Sequence, residues 1–446
     1  MLRGKSRIKS RLVFKIIFNA REKIKYLFRQ QRNIMHYDFA VIGANGIQGR
    51  IVSRMLLEEG KSVFLAANDD YNMEGLIDHA NSDFAQIDLR DMPRAKRAIR
   101  KSGAPVVVNC AVDDYNLAVT KMALELGKHY LDLGSEEPML RDQMALDKDF
   151  KAKDLLAISG IGSTPGISNV MLRYVKDQFD TIETVHVGFA WDSNIPKFVT
   201  PFSLDAIEWE FTHKAKNLKN GEWVEEDPYA CSVDYYYKSI GKQRTQYALH
   251  VEPVTFYEFL KDKGVKNIER MGSYPSHSHA TINTLIQLGL LEKTEVKLPT
   301  DGSIRPLDFT IEALRHIQIP EGYTEKEDIF LKVFGTKNRK PYTVEMDCVA
   351  HTLPGWEDAT CNVDTGFPAA VLAEMIADGV IPERGFYTPE FVVPPEPFFA
   401  ELGKRKLFIY ENGKRINDAS GIKSLIESAP NGNGRQNGSS ASPAQK

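Results

Sequence analysis

The feature that most constrains this chain is the heptapeptide Gly43-Ala44-Asn45-Gly46-Ile47-Gln48-Gly49. It lies between the apolar run Phe39-Ala40-Val41-Ile42 and a helical pattern through Ile51, Val52, Met55 and Leu56. A strand, a glycine turn and a helix start together form the arrangement that takes the pyrophosphate of a dinucleotide. Gly43 allows the tight turn. Gly46 lets backbone N–H groups approach phosphate with no Cβ in the way. Gly49 lets the helix lie close to the strand. The helix N-terminus adds unpaired donors and a partial positive charge. The spacing is GxxGxxG rather than GxGxxG, so the segments that follow must carry part of the reading.

They do so by alternating strand and helix. A second strand pattern, Ser62–Ala67, ends in Asn68-Asp69-Asp70. An acid about twenty positions past the last glycine is where a ribose diol is hydrogen-bonded. A third strand is expected over Ala85–Leu89, placing Asp88 and Leu89 at its end, and a helix follows over Pro93–Lys101. The fourth, Pro105–Ala111, is apolar enough to be a buried parallel strand. It brings Cys110, Ala111 and Val112 to the same edge. This alternation predicts a doubly wound parallel sheet. The expected cofactor contacts are therefore Gly43, Asn45, Gly46, Ile47, Gly49, Asn68, Asp69, Asp88, Leu89, Cys110, Ala111 and Val112, with Gly162 further along. Asp69 and Asp70 would repel a 2′-phosphate, and no Arg shares their loop. NAD is thus expected ahead of NADP.

The remaining composition narrows the function classes. The chain has 446 residues, of which 42% are hydrophobic and 26% charged, in line with a soluble globular protein of two domains or one large one. Cys110, Cys231, Cys348 and Cys361 have no metal-ligand spacing and suggest no disulfide framework. Residues 1–34 carry eleven Lys or Arg and one acid, Glu22, so the body of the chain is acidic. An acidic body argues against nucleic-acid binding. The basic extension reads three ways: a membrane-surface helix making peripheral contact, a targeting segment, or a non-native start ahead of Met35. The tail Ala429–Lys446, built of Asn, Gly, Ser, Pro and Gln, is expected to be disordered. No apolar run reaches the length of a membrane span, and a cytoplasmic location is expected.

Several further motifs carry a family resemblance. After the fourth strand come Val112-Asp113-Asp114-Tyr115-Asn116-Leu117-Ala118-Val119, then Gly127-Lys128-His129-Tyr130-Leu131-Asp132-Leu133-Gly134, then the turn Gly162-Ser163-Thr164-Pro165-Gly166-Ile167-Ser168-Asn169. Near the other end stand Thr365-Gly366-Phe367-Pro368-Ala369-Ala370, Gly385-Phe386-Tyr387-Thr388-Pro389-Glu390 and Pro394-Pro395-Glu396-Pro397-Phe398. With GANGIQG, these motifs resemble the saccharopine dehydrogenase-like family over most of residues 37–410, closely in the N-terminal half and only in layout over roughly 190–350. The resemblance implies an α/β protein: a Rossmann-type doubly wound parallel sheet plus an inserted α+β substrate domain with a mostly antiparallel sheet. It divides the chain into the extension 1–34, a dinucleotide domain 35–165, a substrate and dimerisation domain 166–355, a return to the Rossmann side over 356–410, and the tail 429–446. It implies that the return helix starts near Phe367 and that the protein is a homodimer. Alternation at Ile182–Ala190, Phe330–Gly335 and Tyr342–Ala350 independently fits a sheet with one buried face.

Members of that family oxidise or reduce carbon–nitrogen bonds. Such chemistry needs a nicotinamide against the carbon, a group to move a proton at nitrogen and to activate water, and charged groups to hold the substrate. Asp114 lies just past a strand end, with Tyr115 and Asn116 in the same loop, as acid–base and substrate-binding candidates; the alternative for the aspartate is a helix cap. Asp132 lies within a strand, where a buried carboxylate needs partners. It touches cofactor or substrate, or it anchors a turn. Ser276-His277-Ser278-His279 reads as an extended segment, in which His277 and His279 would share a face and move protons, with Ser276 touching substrate; the alternative is a polar surface loop. Two histidines without a third ligand nearby do not make a metal site, so no metal is expected. Arg270 could hold a substrate carboxylate bidentately or face solvent.

The leading expectation is an NAD(P)-dependent oxidoreductase acting on a CH–NH or CH–NH2 group of a small amino-acid-like substrate such as saccharopine or lysine. The closing segment resembles the lysine 6-dehydrogenase pattern more than the polyamine one. Two other classes stand beside it: a reductase of a C=C or C=O bond within the family, and a non-catalytic dinucleotide-binding protein held at a membrane by the basic extension.

Overall fold

The structure, a computed structural model, describes residues 36–231, 233–299 and 302–418. The basic extension and the tail from Ala429 lie outside the described residues. In chain order the first strands are β1 (Phe39–Ile42), β2 (Val63–Ala67), β3 (Ser82–Gln86), β4 (Val106–Asn109), β5 (His129–Asp132) and β6 (Leu156–Ile158). Then come β7 (Thr181–Ser193), β8 (Ala215–Lys219), β9 (Glu222–Glu226), β10 (Asp234–Tyr237), β11 (Gly241–Tyr247) and β12 (Asn267–Ser273). A short ribbon, β13 (Val296–Lys297) and β14 (Ser303–Ile304), precedes the long hairpin β15 (Glu325–Lys337) and β16 (Lys340–His351). The chain ends with β17 (Gly385–Tyr387), β18 (Phe408–Glu411) and β19 (Lys414–Arg415).

The first sheet has seven parallel strands in the order β17-β6-β5-β4-β1-β2-β3. Strand order reverses between β1 and β4, which opens a crevice at their carboxyl ends. Each of these strands is short and central ones are buried throughout, because helices cover both faces. Helix Ile47–Glu58 buries Ile51, Val52, Met55 and Leu56 on one stripe. Asp91 starts helix Met92–Ser102 by accepting from the Arg94 N–H, and Gly103 ends it at φ 69°.

The second sheet is mixed. Its main path runs β10-β11-β12-β7-β15-β16-β18-β19, and only the β12–β7 pair is parallel along it. Alternation on the long strands sorts residues between its two faces. Val187, Phe189 and Trp191 on β7 stand beside Leu331, Ile329 and Glu327 on β15, while Arg270 and Gly272 on β12 stand beside Val187 and Phe189. Val187, Ile329 and Leu331 on this face join one core with helix Ile167–Lys176 and helix Val363–Ala377, which ties the sheet to the Rossmann side, while Phe189 and Trp191 pack in a separate cluster with Leu204, Phe211 and Tyr274. Its polar members, Arg270 and Glu327, are thereby directed at the seam.

Two boundaries differ from the sequence expectation. The third strand occupies Ser82–Gln86 rather than Ala85–Leu89; its register follows the ladder to β2, where Ala67 meets Gln86, so Asp88 and Leu89 fall in the loop beyond. The return helix starts at Val363, not near Phe367, and carries Pro368 in its interior. Its entry is set by the 3-10 turn Glu357–Ala359 rather than by the proline.

Candidate active site

The glycine turn is built so that no side chain fits where the glycines stand. At Gly43, with φ at 74°, a Cβ would meet the Ala111 nitrogen and the Cys110 carbonyl group at 2.8 Å. At Gly49 a Cβ would sit 2.1 Å from the Gly43 oxygen. Gly46 donates to the Gly43 oxygen at 3.0 Å and opens the helix with no side-chain cap. The first amides of Ile47–Glu58 therefore remain available to an anion. Beside them Asn45 Nδ2 donates to Asn68 Oδ1 at 2.8 Å and to Asp69 Oδ1 at 2.7 Å, which brings the three side chains expected at the ribose into one cluster. Asp88 is turned instead to Arg90, whose hydrogen bonds hold its carboxyl below the usual range. Leu89 packs against the apolar layer beneath, and Val112 is exposed. Burial and the Asp132 charge push the Cys110 thiol up. This cradle fits a dinucleotide, which Gly43, Gly46, Ile47, Asn45 and Asp69 would hold; when bound, a nicotinamide would supply or accept the hydride.

At the carboxyl ends of β4, β5 and β6 the sequence candidates separate. Asp132 is fully buried. Its Oδ1 accepts from the Gly134 N–H at 2.9 Å and Ser159 Oγ at 2.6 Å, and its Oδ2 from Tyr130 Oη at 2.8 Å and Gln143 Nε2 at 2.7 Å. Those contacts match its anchoring alternative. In the loop after β4 it is Asp113 that turns inward, accepting from Asn116 Nδ2 at 3.1 Å and the Ser135 N–H at 3.2 Å. Burial raises its carboxyl to about 7, and the Asp132 and Glu136 charges add to the rise. Asp114 is exposed and faces Glu136 and Asp205. Asn116 is buried and accepts from Asn109 Nδ2 at 2.8 Å, while Tyr115 is half-buried at the turn. After β6, the Gly162 N–H is taken by the Pro165 oxygen at 2.8 Å, and Ser163 Oγ accepts from Thr365 Oγ1 at 3.1 Å.

The opposite wall comes from the second sheet. Arg270 is 1% exposed. Its Nε lies 3.7 Å from Glu252 and its Nη2 lies 3.9 Å from Glu210. His250 bridges the same two acids, at 2.8 Å to Glu252 and 3.4 Å to Glu210. Tyr274 Oη donates to Glu210 at 2.7 Å, and Thr164 Oγ1 donates to Glu252. Burial opposes ionisation of Glu252, but His250 and Arg270 outweigh it and hold the carboxyl at about 2. Burial and Arg270 push His250 down, yet Glu252 and Glu210 win, and its affinity for protons rises. Arg270 is thus neither solvent-facing nor free for a substrate carboxylate. Further out, Lys293 is shared by Asp205 at 3.7 Å and Glu208 at 3.3 Å, and Arg305 is taken by Asp308.

The histidine pair is a correction. Ser276–Gln287 is a helix, not an extended segment. Residues two apart on a helix are rotated by about 200°, so His277 and His279 do not share a face. His277 Nε2 is 3.4 Å from Ser193 Oγ, whereas His279 Nε2 is 3.1 Å from Gln246 Oε1 and burial lowers its proton affinity. Pro275 explains the change: it precedes the helix in extended conformation and pre-sets the first turn, with Ser276 as its first residue.

Two family models match the chain: the saccharopine dehydrogenase NADP binding domain over residues 39–158 and the saccharopine dehydrogenase C-terminal domain over residues 162–407. The chain belongs to the saccharopine dehydrogenase family. It is 27% identical over 387 residues to carboxyaminopropylagmatine dehydrogenase of Synechocystis sp., across 82% of this chain and 95% of that one. Its fold is similar to apo saccharopine dehydrogenase (L-Glu forming) from Saccharomyces cerevisiae, with a TM-score of 0.66 and 14% identity over 84% of this chain and 99% of the other. It is also similar to homospermidine synthase from Legionella pneumophila in complex with NAD, with a TM-score of 0.63 and 11% identity over 86% and 93%. This member of the family is an NAD(P)-dependent dehydrogenase, as its motifs led one to expect. No described helix is long and apolar enough to cross a membrane.

Sequence reasoning passed over the acids gathered near this edge of the saccharopine dehydrogenase-type fold: Glu136, Asp205, Glu210, Glu252, Glu327 and Asp364. Two of them had a usable signal. Glu327 alternates with Ile329 and Leu331 on an inward face, and Asp364 directly precedes the Thr365-Gly366-Phe367-Pro368 motif. Chemically, the arrangement offers open amides for phosphate, an inward Asp113 able to exchange a proton near neutral pH, and acidic walls for a cation.

Proposed function

We propose that this dehydrogenase oxidises, and in reverse forms, a secondary amine that joins a guanidine- or amine-bearing chain to an amino-carboxylate arm. Hydride leaves the carbon beside the nitrogen, water adds to the resulting iminium carbon, and the C–N bond breaks to give an aldehyde and an amine. Asp113 is suited to take the proton from that water. The nitrogen-rich end runs along Asp114, Glu136 and Asp205.

The observation that carries this reading is the charge of the site. Arg270, Lys293 and Arg305 are each taken by carboxylates of the protein, while Asp114, Glu136 and Asp205 face one another across the opening. Burial raises Glu136 and Asp205 despite the nearby Lys293, and Asp114 adds to the rise in both. Saccharopine, with three carboxylates, would meet like charge here; a guanidinium would be drawn in. The relative that acts on carboxyaminopropylagmatine supports the same class. The amino-acid substrates favoured by the closing sequence segment give way to this argument.

The test is a substrate panel read as nicotinamide absorbance. Carboxyaminopropylagmatine should be oxidised with kcat/KM at least 100-fold above saccharopine and lysine. Glu136→Gln and Asp205→Asn should each raise its KM about tenfold, the loss of roughly 1.4 kcal/mol of charge pairing. Turnover of saccharopine with none of the guanidine substrate overturns the reading.

A further inference from the structure

Four charges buried in the wall of the second sheet take no part in the hydride and proton steps. Glu210 on helix Leu204–Thr212, His250 after β11, Glu252 at the start of helix Glu252–Leu260 and Arg270 on β12 come from four separate segments. The His250 side chain is 8% exposed and the other three less. Each acid gives one oxygen to the imidazole and the other to a hydroxyl. Glu252 Oε2 lies 2.8 Å from His250 Nδ1, and its Oε1 accepts from Thr164 Oγ1. Glu210 Oε1 lies 3.4 Å from His250 Nε2, and its Oε2 accepts from Tyr274 Oη at 2.7 Å.

This geometry fixes the state of the ring. A neutral imidazole carries one N–H and one lone pair, so one of its nitrogens would face a carboxylate oxygen with no proton between them. Placing that proton on an acid is opposed by the surroundings. Burial disfavours both ionised carboxyls, but His250, Arg270 and the two hydroxyl donors outweigh it and hold both below their ordinary range. The ring therefore donates from both nitrogens, and two acids are matched by two cations. Arg270 alone serves them poorly, since its nearest nitrogens stand 3.7 Å from Glu252 and 3.9 Å from Glu210. A buried set of charges adds little stability over apolar side chains of similar volume. What this one supplies is direction.

That direction is delivered at Thr164, in the turn 162–166 after β6. Its neighbour Ser163 accepts from Thr365 Oγ1 at 3.1 Å, so the turn hangs between helix Glu252–Leu260 and helix Val363–Ala377. It stands at the carboxyl edge of the parallel sheet, across the strand-order switch from the Asn45–Asp69 cluster, on the side where the nicotinamide half of a dinucleotide extends. We propose that His250, held as an imidazolium between Glu210 and Glu252, is a positioning residue that fixes this turn, through Glu252 and Thr164, at the edge where hydride is transferred. The role is independent of which amine is oxidised. Arg270, Glu252 and Glu210 face the ring, and Glu136, ahead of helix Glu137–Met144, also feels its charge. Burial and Arg270 press the ring toward its neutral form, but the two acids prevail, so the charge outlasts the ordinary imidazole range and is lost only as pH rises further. Once the proton leaves, two buried acids share one cation. Glu210 meets a lone pair, Arg270 is drawn away from Glu252, and the anchor of Thr164 loosens.

Nitrogen NMR of the full chain, labelled at histidine and loaded with NAD+, reads the charge. At pH 8 one ring should be protonated at both nitrogens, with its signal absent in His250→Gln and retained in Thr164→Val. No such ring in the unsubstituted protein at pH 8 overturns the proposal. Hydrogen exchange of the peptide covering residues 160–169, corrected for the intrinsic effect of pH, reads the positioning. Thr164→Val should speed that exchange at least tenfold at pH 7, and the unsubstituted protein should gain as much once pH passes the value at which the imidazolium signal disappears. With whichever amine of the panel reacts, kcat should fall through that same pH. Thr164→Val should lower kcat at least tenfold at pH 7 and remove that alkaline limb, with dinucleotide dissociation constants held within threefold. Should His250→Gln fail to fold, Thr164→Val keeps all four charges and still decides: unaltered exchange and kcat there would refute the role. A panel in which saccharopine alone reacts would reject the guanidine substrate and leave the positioning result standing.

Discussion

Gly46 and Gly49 lie three residues apart in one turn, yet their replacement by alanine should have separable effects. At Gly49 the added methyl would stand 2.1 Å from the Gly43 oxygen and 2.8 Å from the Ala44 Cα and the Gly43 carbon. All three are backbone atoms, so the helix must retreat by about 1 Å or more. Overpacking of this kind costs about 1–3 kcal/mol, and the rigid strand on one side puts Gly49→Ala at the upper end. At Gly46 the sole near neighbour is the Gly43 oxygen at 3.3 Å, and φ is −70°, a conformation any residue adopts. Gly46→Ala should leave stability within about 0.5 kcal/mol. Its methyl would nonetheless enter the space through which phosphate reaches the open amides. Loss of two charge-assisted hydrogen bonds, at roughly 1.5–3 kcal/mol each, weakens dinucleotide binding by at least 100-fold. Urea unfolding and NADPH fluorescence titration read the two quantities apart. Gly49→Ala should lower both, and Gly46→Ala only the second. Unchanged affinity in Gly46→Ala would show that the pyrophosphate does not lie over this turn, and the reasoning would fail at its first step.

Two further outcomes follow from particular carboxylates. NADH should bind more tightly than NADPH, because Asp69, steadied by Asn45 and the Tyr71 N–H, would face the 2′ position; Asp69→Ala should narrow the gap at least tenfold, and equal dissociation constants in the unsubstituted protein would show the carboxylate turned elsewhere. Stability should also be greater at pH 5.5 than at pH 8. Burial raises Asp328 to about 6 and Asp347 to about 7, so the folded state binds protons that the unfolded chain, titrating at 3.8, does not. Stability from such groups is full below the unfolded value and is lost as pH rises through the folded one. For the fully buried Asp328 the loss is roughly 1 kcal/mol. Asp328→Asn should flatten the urea midpoint against pH, and an unaltered slope would refute the assignment.

What the sequence disclosed, and what it withheld, divides along a physical line. Local rules located the cofactor half. A glycine triplet between an apolar run and an amphipathic helix leaves one arrangement open, and strands alternating with helices imply a doubly wound parallel sheet. The third strand slipped by three residues because Ser82–Gln86 is half-exposed at the sheet edge and carries a weak apolar signal. The substrate half depends on contacts between residues far apart in the chain. Glu210, His250, Glu252 and Arg270 come together only because β12 lies parallel to β7 and the STPG turn reaches Glu252 through Thr164. No local window contains that pairing. The histidines misled because period-two alternation and the first turn of a helix look alike over four residues; Pro275 was the overlooked signal.

The acids at the seam also bear on why this site should select a cation. A protein can satisfy a buried carboxylate with a cation of its own, as Glu252 is satisfied by His250 and Arg270. Its ionisation is then held at about 2, and the set is closed to ligands. Glu327 and Asp364 have no such partner among the ion pairs of the described residues, and burial raises both carboxyls. The two sets lie on one sheet face, and Arg270 feels both, yet it is drawn to the first. Had Arg270 turned to Glu327, the seam would be neutral and an anionic substrate would be tolerated. With Arg270 committed to Glu210 and Glu252, the two raised carboxyls are left without a cation of the protein. A cation brought beside them would offset the desolvation that raises both.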